Sequence, residues 1–250
     1  MKKALIESSD LLNEIHMKIY EIATNLSNNH EREINLFGGK TGHLLFWSYY
    51  SLLDKSYKLE NNLISIITDI MKEIRMGNTY STFSGGLAGI GWTLEHLKHQ
   101  GFISIDSDKI LKDVDSYLHQ QLRIVNDEGY HVYLRGSLGI GLYYLNRLTN
   151  SNAKSYITEL ILTLEKQAHH FSKGIGWVST LSYPKRKKVF NLGLAHGIAS
   201  MSAILSNINQ ANIDTERVHI LVEKAIDFLL IQKHDARNFR YSFPAYFDKK

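Results

Sequence analysis

A glycine motif that recurs four times along the chain constrains the fold more than any other feature of the sequence. Each copy is Gly-x-x-Gly or a close variant and leads directly into an apolar run. The glycine pairs are Gly39 and Gly42, Gly86 and Gly89, Gly136 and Gly139, and Gly193 and Gly197. From Gly39 through Gly86 and Gly136 to Gly197 the intervals are 47, 50 and 61 residues, which suits one helical hairpin per repeat.

The stretches between the glycine motifs have the spacing of amphipathic helices. In residues 215–232, apolar side chains recur three and four positions apart, which is typical of a helix with one buried face. Four further stretches have the same pattern: residues 10–26, 63–76, 110–122 and 155–168. No segment alternates between apolar and polar residues over a sustained length, so no sheet is predicted. The chain has only two prolines, which leaves long helices unobstructed.

Each repeat is therefore predicted to contain a glycine loop, an inner helix, a turn and an outer helix. The inner helix at 139–148 is apolar or aromatic on nearly all sides, as expected of a buried element, whereas the outer helices carry one polar face. We expect the glycines to permit a positive φ and a close approach of neighbouring helices. Glycines that only cap helices or mark ordinary turns are the alternative. The predicted fold class is all-α, an α/α toroid of glycine-punctuated helical hairpins.

The composition excludes several kinds of site and partner. The chain has no cysteine, so a disulfide, a cysteine-ligated zinc ion and a cysteine nucleophile are ruled out within these residues. The net charge of +4 is well below that of a dedicated nucleic-acid binder. No apolar run approaches the roughly 18 residues of a membrane span, and the N-terminus lacks the apolar core of a signal peptide. We therefore expect a soluble, cytoplasmic protein with no transmembrane segment and no nucleic-acid partner.

Three of the motif strings resemble the successive glycine motifs of the lanthionine synthetase C-like family. They lie at residues 84–91, 136–145 and 193–197, and the string Leu-Ala-His-Gly that ends at Gly197 is the most specific. The resemblance extends over residues 37–250. It implies a single lanthionine synthetase C-like domain at residues 1–250, the N-terminal portion of a toroid of seven helical hairpins and hence an incomplete ring.

The resemblance also implies an activity, the zinc-dependent cyclisation of lanthipeptides. Family members add cysteine thiols of a precursor peptide to dehydroalanine or dehydrobutyrine, which a partner dehydratase has made, and so form thioether rings. Zinc, held by two cysteines and a histidine, deprotonates the thiol, and a positioned histidine can supply the proton that the product needs. His196 matches the family's active-site histidine and is the predicted catalytic residue. The other interpretation is a histidine that hydrogen-bonds a helix end at the centre of the toroid.

Two departures from the family pattern bear on that activity. Where the family usually has an aspartate, four residues before Gly136, this chain has Val132, flanked by His131 and Tyr133. The family's zinc cysteines belong to the fifth and sixth repeats, and the observed interval places a fifth motif at about residues 244–258. We therefore expect a full-length member to bind zinc, and this chain, truncated before the zinc ligands, to bind none by itself.

Two other functions are open on this evidence. A non-catalytic fragment or pseudoenzyme that binds a modified peptide or a partner enzyme is favoured by Val132 and by the lack of cysteine. A toroidal glycoside hydrolase needs two carboxylates across its cleft, and none of the four glycine loops contains an Asp or a Glu.

Three further groups of side chains invite a functional interpretation. His96 and His99 share a helical face but have no third metal ligand at an obvious spacing, so exposed histidines are the simpler prediction. The pair His169 and His170 is expected at a helix end, where the dipole favours a partly charged imidazole. The basic run at residues 185–188 is predicted to be a solvated loop, with an acidic peptide as its alternative partner.

Overall fold

The secondary structure is dominated by helices, as predicted. The computed structural model describes residues 2–28, 31, 33–55, 59–77, 80–181, 187–235, 237 and 240–248. The helices are α1 (Lys2–Ser27), α2 (Lys40–Leu53), α3 (Leu59–Met76), α4 (Leu87–His99), α5 (Ser107–Ile110), α6 (Lys112–Asp127), α7 (Ser137–Asn146), α8 (Ala153–Gln167), α9 (Ile198–Gln210) and α10 (Thr215–Ile231). The strands are β1 (His169–His170), β2 (Ile175–Gly176), β3 (Ser179–Leu181), β4 (Lys187–Asn191) and β5 (Tyr246–Phe247).

All five amphipathic stretches are helical, so that part of the prediction is confirmed. The stretch at 110–122 spans the end of α5 and most of α6. The other four coincide with parts of α1, α3, α8 and α10, and those at 155–168 and 215–232 extend one residue beyond the helix end. Among the described residues, no helix combines the length and the apolar character that a membrane crossing would require. The chain divides into two units, residues 1–77 and residues 78–250.

The first unit is held together by aromatic side chains of α2. This helix packs against both α1 and α3. Ala23 of α1 is buried together with Trp47 and Tyr50 of α2, and the two rings meet edge to face with their centroids 5.5 Å apart. Buried aromatic side chains remove large apolar areas from water, so this cluster is the main stabilising contact between α1 and α2.

The second unit consists of helical hairpins. Helix α7 contacts α4 on one side and α9 on the other, while α8 packs on α7 and α10 packs on α9. Five consecutive residues at the start of α7 are buried, and so are Tyr143 and Tyr144, which matches the prediction of an inner helix that is apolar on nearly all sides. The outer helix α6 buries one stripe that contains Val114, Leu118 and Leu122. The predicted alternation of inner and outer helices is confirmed for this unit.

The prediction that no sheet occurs is wrong for the segment between α8 and α9. There β1 pairs with β2, and β3 and β4 form a three-stranded antiparallel sheet with β5, which follows α10 in the chain. Four phenylalanines brace these strands against α10, with ring centroids between 4.5 Å and 6.2 Å apart. They are Phe171, Phe190, Phe228 and Phe247. Strands of two to five residues are too short to show an alternation in the sequence, and contacts between distant residues stabilise them.

The glycine directly before each inner helix is needed for space and not for a positive φ. Gly39, Gly86, Gly136 and Gly197 precede α2, α4, α7 and α9 with φ values between −110° and −147°. The expectation of a positive φ is therefore wrong at these four positions. A Cβ on Gly86 would lie 2.0 Å from the carbonyl oxygen of Tyr80, six residues earlier in the chain. At Gly136 and Gly197 the equivalent distances are 2.1 Å and 2.2 Å.

Close approach between hairpins, the other role predicted for glycine, is confirmed at Gly139. A Cβ at this position in α7 would lie 2.7 Å from the Cβ of Phe83, which precedes α4. The backbone N–H groups of Phe83 and Ser84 both donate to the carbonyl oxygen of Leu134, at 3.1 Å and 3.0 Å. The loops before α4 and α7 are therefore joined directly at one end of the second unit.

Candidate functional site

The predicted catalytic histidine lies in the loop that leads into α9. The His196 side chain is exposed, while its backbone is held from outside the loop: the Ser179 hydroxyl donates to its carbonyl oxygen at 2.8 Å. Within the loop, the backbone N–H of Gly193 donates to Oδ1 of Asn191 at 2.8 Å. Gly197 then begins the helix. A fixed backbone with an exposed imidazole leaves this side chain available to a ligand.

A second histidine, which the sequence did not single out as functional, is buried beneath the loop before α7. His131 is only 5% exposed, and its ring nitrogens lie 2.6 Å from Oγ of Ser137 and 2.7 Å from Oε1 of Gln167. The amide nitrogen of Gln167 donates to the carbonyl oxygen of Asn126, so its oxygen faces the imidazole. Nε2 of His131 therefore carries the proton and Nδ1 accepts from the serine hydroxyl. Burial lowers the pKa of His131, and this neutral tautomer satisfies both nitrogens.

The depressed pKa of His131 makes stability depend on pH in a defined direction. Below about pH 6.5, the ordinary value for histidine, the unfolded chain takes up a proton that folded His131 resists. As the pH is lowered below this value, the free energy of unfolding is therefore expected to decrease by up to about 1.4 kcal/mol per pH unit, until folded His131 also protonates. Urea unfolding at several pH values should show a shallower slope for His131→Gln. His219→Gln, on the exposed face of α10, should keep the wild-type slope, and equal slopes in all three proteins would contradict the assignment.

A match to a protein-family model tests the family resemblance that the glycine motifs suggested. The model described as "Lanthionine synthetase C-like protein" matches residues 3–130 and, in a second overlapping segment, residues 31–249. The chain belongs to the lanthionine synthetase C-like family. The overlap of the two segments is expected of similar repeats, because one stretch of a repeat protein can align with two parts of the model.

The three-dimensional fold of this family member is shared with a solved structure named nisin cyclase. The two agree with a TM-score of 0.71 at 19% sequence identity. The match covers 94% of this chain, and the chain spans 62% of the length of the nisin cyclase chain. This likeness confirms the predicted fold class of an all-α, α/α toroid type. No curated protein sequence matches this chain.

Val132, where lanthionine synthetase C-like proteins usually have an aspartate, plays a backbone role. Its carbonyl oxygen accepts the N–H of Gly136 at 2.8 Å, and its side chain is partly buried. Residues 130–136 read Tyr-His-Val-Tyr-Leu-Arg-Gly, so this loop contains no carboxylate in another position. Acid-base chemistry at this loop would therefore have to use a different group.

A buried charge network, which the sequence analysis missed, links three helices of the family member. Arg147 is 0% exposed and binds both carboxylate oxygens of Asp115, with Nη2 2.7 Å and Nε 3.3 Å away. Its Nη1 contacts Glu95 of α4, which is also fully buried, and Asp108 of α5 at 3.0 Å. Burial disfavours the charge, but the hydrogen bonds and charges of these carboxylates raise the pKa of Arg147 overall. The only hint in the sequence is that Asp115 interrupts the apolar stripe of α6.

The other histidines of the sequence analysis have separate surroundings. His96 stacks on Trp92, with centroids 4.9 Å apart, and burial lowers its pKa. His99 Nε2 lies 3.6 Å from a carboxylate oxygen of Glu95. His169 and His170 are exposed on β1.

In the basic run, residues 185 and 186 lie outside the described part of the chain, and Lys187 pairs with Asp248. Within the described ranges, no three His, Asp or Glu side chains are placed to hold a metal ion.

Proposed function

We propose that the chain forms part of a lanthipeptide cyclase, which adds peptide cysteine thiols to dehydroalanine or dehydrobutyrine. The observation that carries this proposal is His196, exposed on an immobilised loop inside the family's Leu-Ala-His-Gly motif. In the reaction an S–H bond breaks, a C–S bond forms at the alkene Cβ, and Cα gains one proton. A histidine can carry that proton near neutral pH, and we assign the transfer to His196.

Zinc belongs to this proposal, but the described residues do not form a site for it. The sequence has no cysteine, and the described side chains contain no cluster of potential metal ligands. Zinc in a complete family member would supply a substrate thiolate at neutral pH. We propose that its ligands are residues other than those described here, and that the 250-residue chain binds no zinc alone.

The chemistry also defines the partners that we propose. We propose that the substrate is a ribosomally made precursor peptide; nisin cyclase, a solved structure with the same fold, is by its name a cyclase. Dehydroalanine and dehydrobutyrine must be made before cyclisation, so a partner dehydratase has to act first. We place both steps in the cytoplasm.

Thiol counting on a dehydrated peptide tests the cyclase proposal. Protein expressed from the complete reading frame is incubated with a dehydrated peptide that retains its cysteines, then with iodoacetamide, and analysed by mass spectrometry. Cyclisation leaves the peptide mass unchanged but removes alkylatable thiols. His196→Ala is expected to lower kcat by about 10²–10⁴-fold with little change in KM, since general acid-base catalysis contributes that much.

The matched control for this experiment is His219→Ala, another exposed histidine, which should react like the wild type. Full activity of His196→Ala would remove the proposed proton-transfer role. The protein should otherwise fold normally in both variants, because both imidazoles are exposed.

A non-catalytic peptide-binding protein is the second candidate function. The absence of cysteine and the presence of Val132 favour it, because both depart from the pattern of active members. Two measurements distinguish a binding protein from a cyclase. A binding protein retains the dehydrated peptide in a pull-down. In the thiol-counting assay, however, it leaves the number of alkylatable thiols constant even when zinc is added.

A further inference from the structure

A groove on the second unit lies between the β1–β2 hairpin and α10. It has a volume of about 660 Å³ and is lined on one side by the hairpin turn at residues 170–174 and on the other by α10. Three of its lining residues have apolar side chains: Phe171, Leu230 and Ile231. Leu230 is 56% exposed and Ile231 47% exposed, so α10 presents two aliphatic side chains to solvent here.

The walls of the groove are held in place by direct packing. The ring of Phe171 lies 4.5 Å from that of Phe228 on α10. Gly174, with φ at +83°, brings the turn so close to α10 that a Cβ would lie 2.3 Å from the carbonyl oxygen of Lys224 and 2.5 Å from the backbone nitrogen of Phe228. The groove is therefore a fixed feature of the fold, since neither wall can shift without breaking these contacts.

The rim of the groove carries more positive than negative charge. Lys173 stands on the hairpin turn and Lys224 on α10, both exposed. In the part of the chain that the structure describes, neither ammonium group lies within salt-bridge distance of a carboxylate. Asp227, one turn after Lys224, is the acidic residue of the lining, and His170 is a further basic one. The aliphatic side chains of the lining and its two lysines complement a peptide in which an aliphatic side chain is next to a carboxylate.

The groove is close in sequence to the loop of His196. Ser179 is five positions after Gly174, with four residues between them, so their Cα atoms are at most about 18 Å apart. The Ser179 hydroxyl is the group that binds the carbonyl oxygen of His196. An extended peptide needs no more than about five residues to span the distance from Gly174 to Ser179.

We propose that this groove is a docking subsite for the substrate peptide, and that it binds an aliphatic–acidic segment a short distance along the peptide from the reacting cysteine. The inference rests on the proposed function in that it takes the ligand to be a peptide. The aliphatic side chain lies on Leu230 and Ile231, and the carboxylate lies between Lys173 and Lys224. Anchoring at this distance would raise the local concentration of the reacting segment near His196.

Peptide binding to the 250-residue chain tests the subsite without zinc or catalysis. The probe is a fluorescein-labelled Gly-Ser-Leu-Asp-Leu-Gly-Ser peptide, and its partner has Asn in place of Asp. Fluorescence anisotropy should show at least 5-fold tighter binding of the Asp peptide, and the difference should shrink in high salt, because screening weakens exposed charge pairs. Lys173→Glu/Lys224→Glu should weaken the Asp peptide at least 10-fold.

The control variant is Lys109→Glu/Lys154→Glu, which changes the net charge equally at exposed positions on α5 and α8. It should bind the Asp peptide nearly as well as the wild type. Equal affinity for both peptides, no binding of either, or equal losses in the two double variants would overturn the subsite. The thiol-counting assay does not depend on these outcomes, so failure of the subsite and failure of the cyclase proposal are separable.

Discussion

Replacement of Arg147 with methionine is expected to lower the free energy of unfolding of the second unit by about 3–5 kcal/mol. Arg147 is the cation bound to buried Glu95 and Asp115, and methionine leaves both carboxylates without it. Oε2 of Glu95 already has no hydrogen-bond partner among the described residues. A buried charge without a counter-charge is among the most destabilising features that a single substitution can create.

Urea unfolding monitored by circular dichroism measures this effect, and Arg123→Met is the matched control. Arg123 also binds a carboxylate, Glu159, but its side chain is 63% exposed, so its loss should lower the free energy of unfolding much less than loss of Arg147 does. Similar losses in both variants would mean that the buried network contributes no more than a surface ion pair.

Restoring charge balance should recover much of the lost stability. The triple variant Arg147→Met/Glu95→Gln/Asp115→Asn replaces both stranded carboxylates with neutral amides of similar size. It is expected to be more stable than Arg147→Met alone, because an amide costs much less to bury than an unpaired carboxylate. If the triple variant were less stable than Arg147→Met, loss of packing and not uncompensated charge would be the cause.

Substitution of Gly86 by alanine is expected to destabilise the second unit by about 3 kcal/mol, the upper part of the usual range for overpacking. The new Cβ would lie 2.0 Å from the carbonyl oxygen of Tyr80 and 2.9 Å from the backbone nitrogen of Thr82. The loop has to open, and it then loses the hydrogen bond from the N–H of Leu87 to the same carbonyl oxygen, which is 2.8 Å long.

Gly85 provides a control in the same loop. A Cβ there meets only the Thr82 hydroxyl, at the ordinary contact distance of 3.4 Å, and its φ is not in the positive range. Gly85→Ala should therefore be neutral or slightly stabilising, because alanine restricts the unfolded chain more than glycine does. The urea concentration at the midpoint of unfolding is expected to be lower for Gly86→Ala than for Gly85→Ala. Equal midpoints would show that space for a Cβ is not what places glycine at position 86.

Local patterns in the sequence predicted the helices well. The three- and four-residue spacing of apolar side chains marked α1, α3, α6, α8 and α10, because one helical face must be buried whatever its partner is. The repeated glycines marked the starts of α2, α4, α7 and α9. The catalytic role of His196 stays a prediction from its motif; the structure shows its side chain exposed and its carbonyl oxygen bound by the Ser179 hydroxyl.

Features that depend on distant residues were not predicted. Asp115 and Arg147 are 32 positions apart, and no local pattern in the sequence indicates that these two charges pair. His131 lay beside the position of the missing aspartate, yet its buried role depends on Gln167, which is 36 positions later at the end of α8. Strands β1 to β5 are stabilised by phenylalanines that come from four separate parts of the chain.

The glycine repeat separates what the sequence predicts from what only the tertiary structure specifies. The sequence by itself determined that glycine must recur at a hairpin period and that each copy precedes an inner helix. The tertiary structure decided the reason, since a carbonyl oxygen from six residues earlier occupies the place of a side chain at Gly86, Gly136 and Gly197. Periodicity is a property of neighbouring residues and can be read along the chain. The position of a carbonyl group depends on how the loop closes, which only the folded structure specifies.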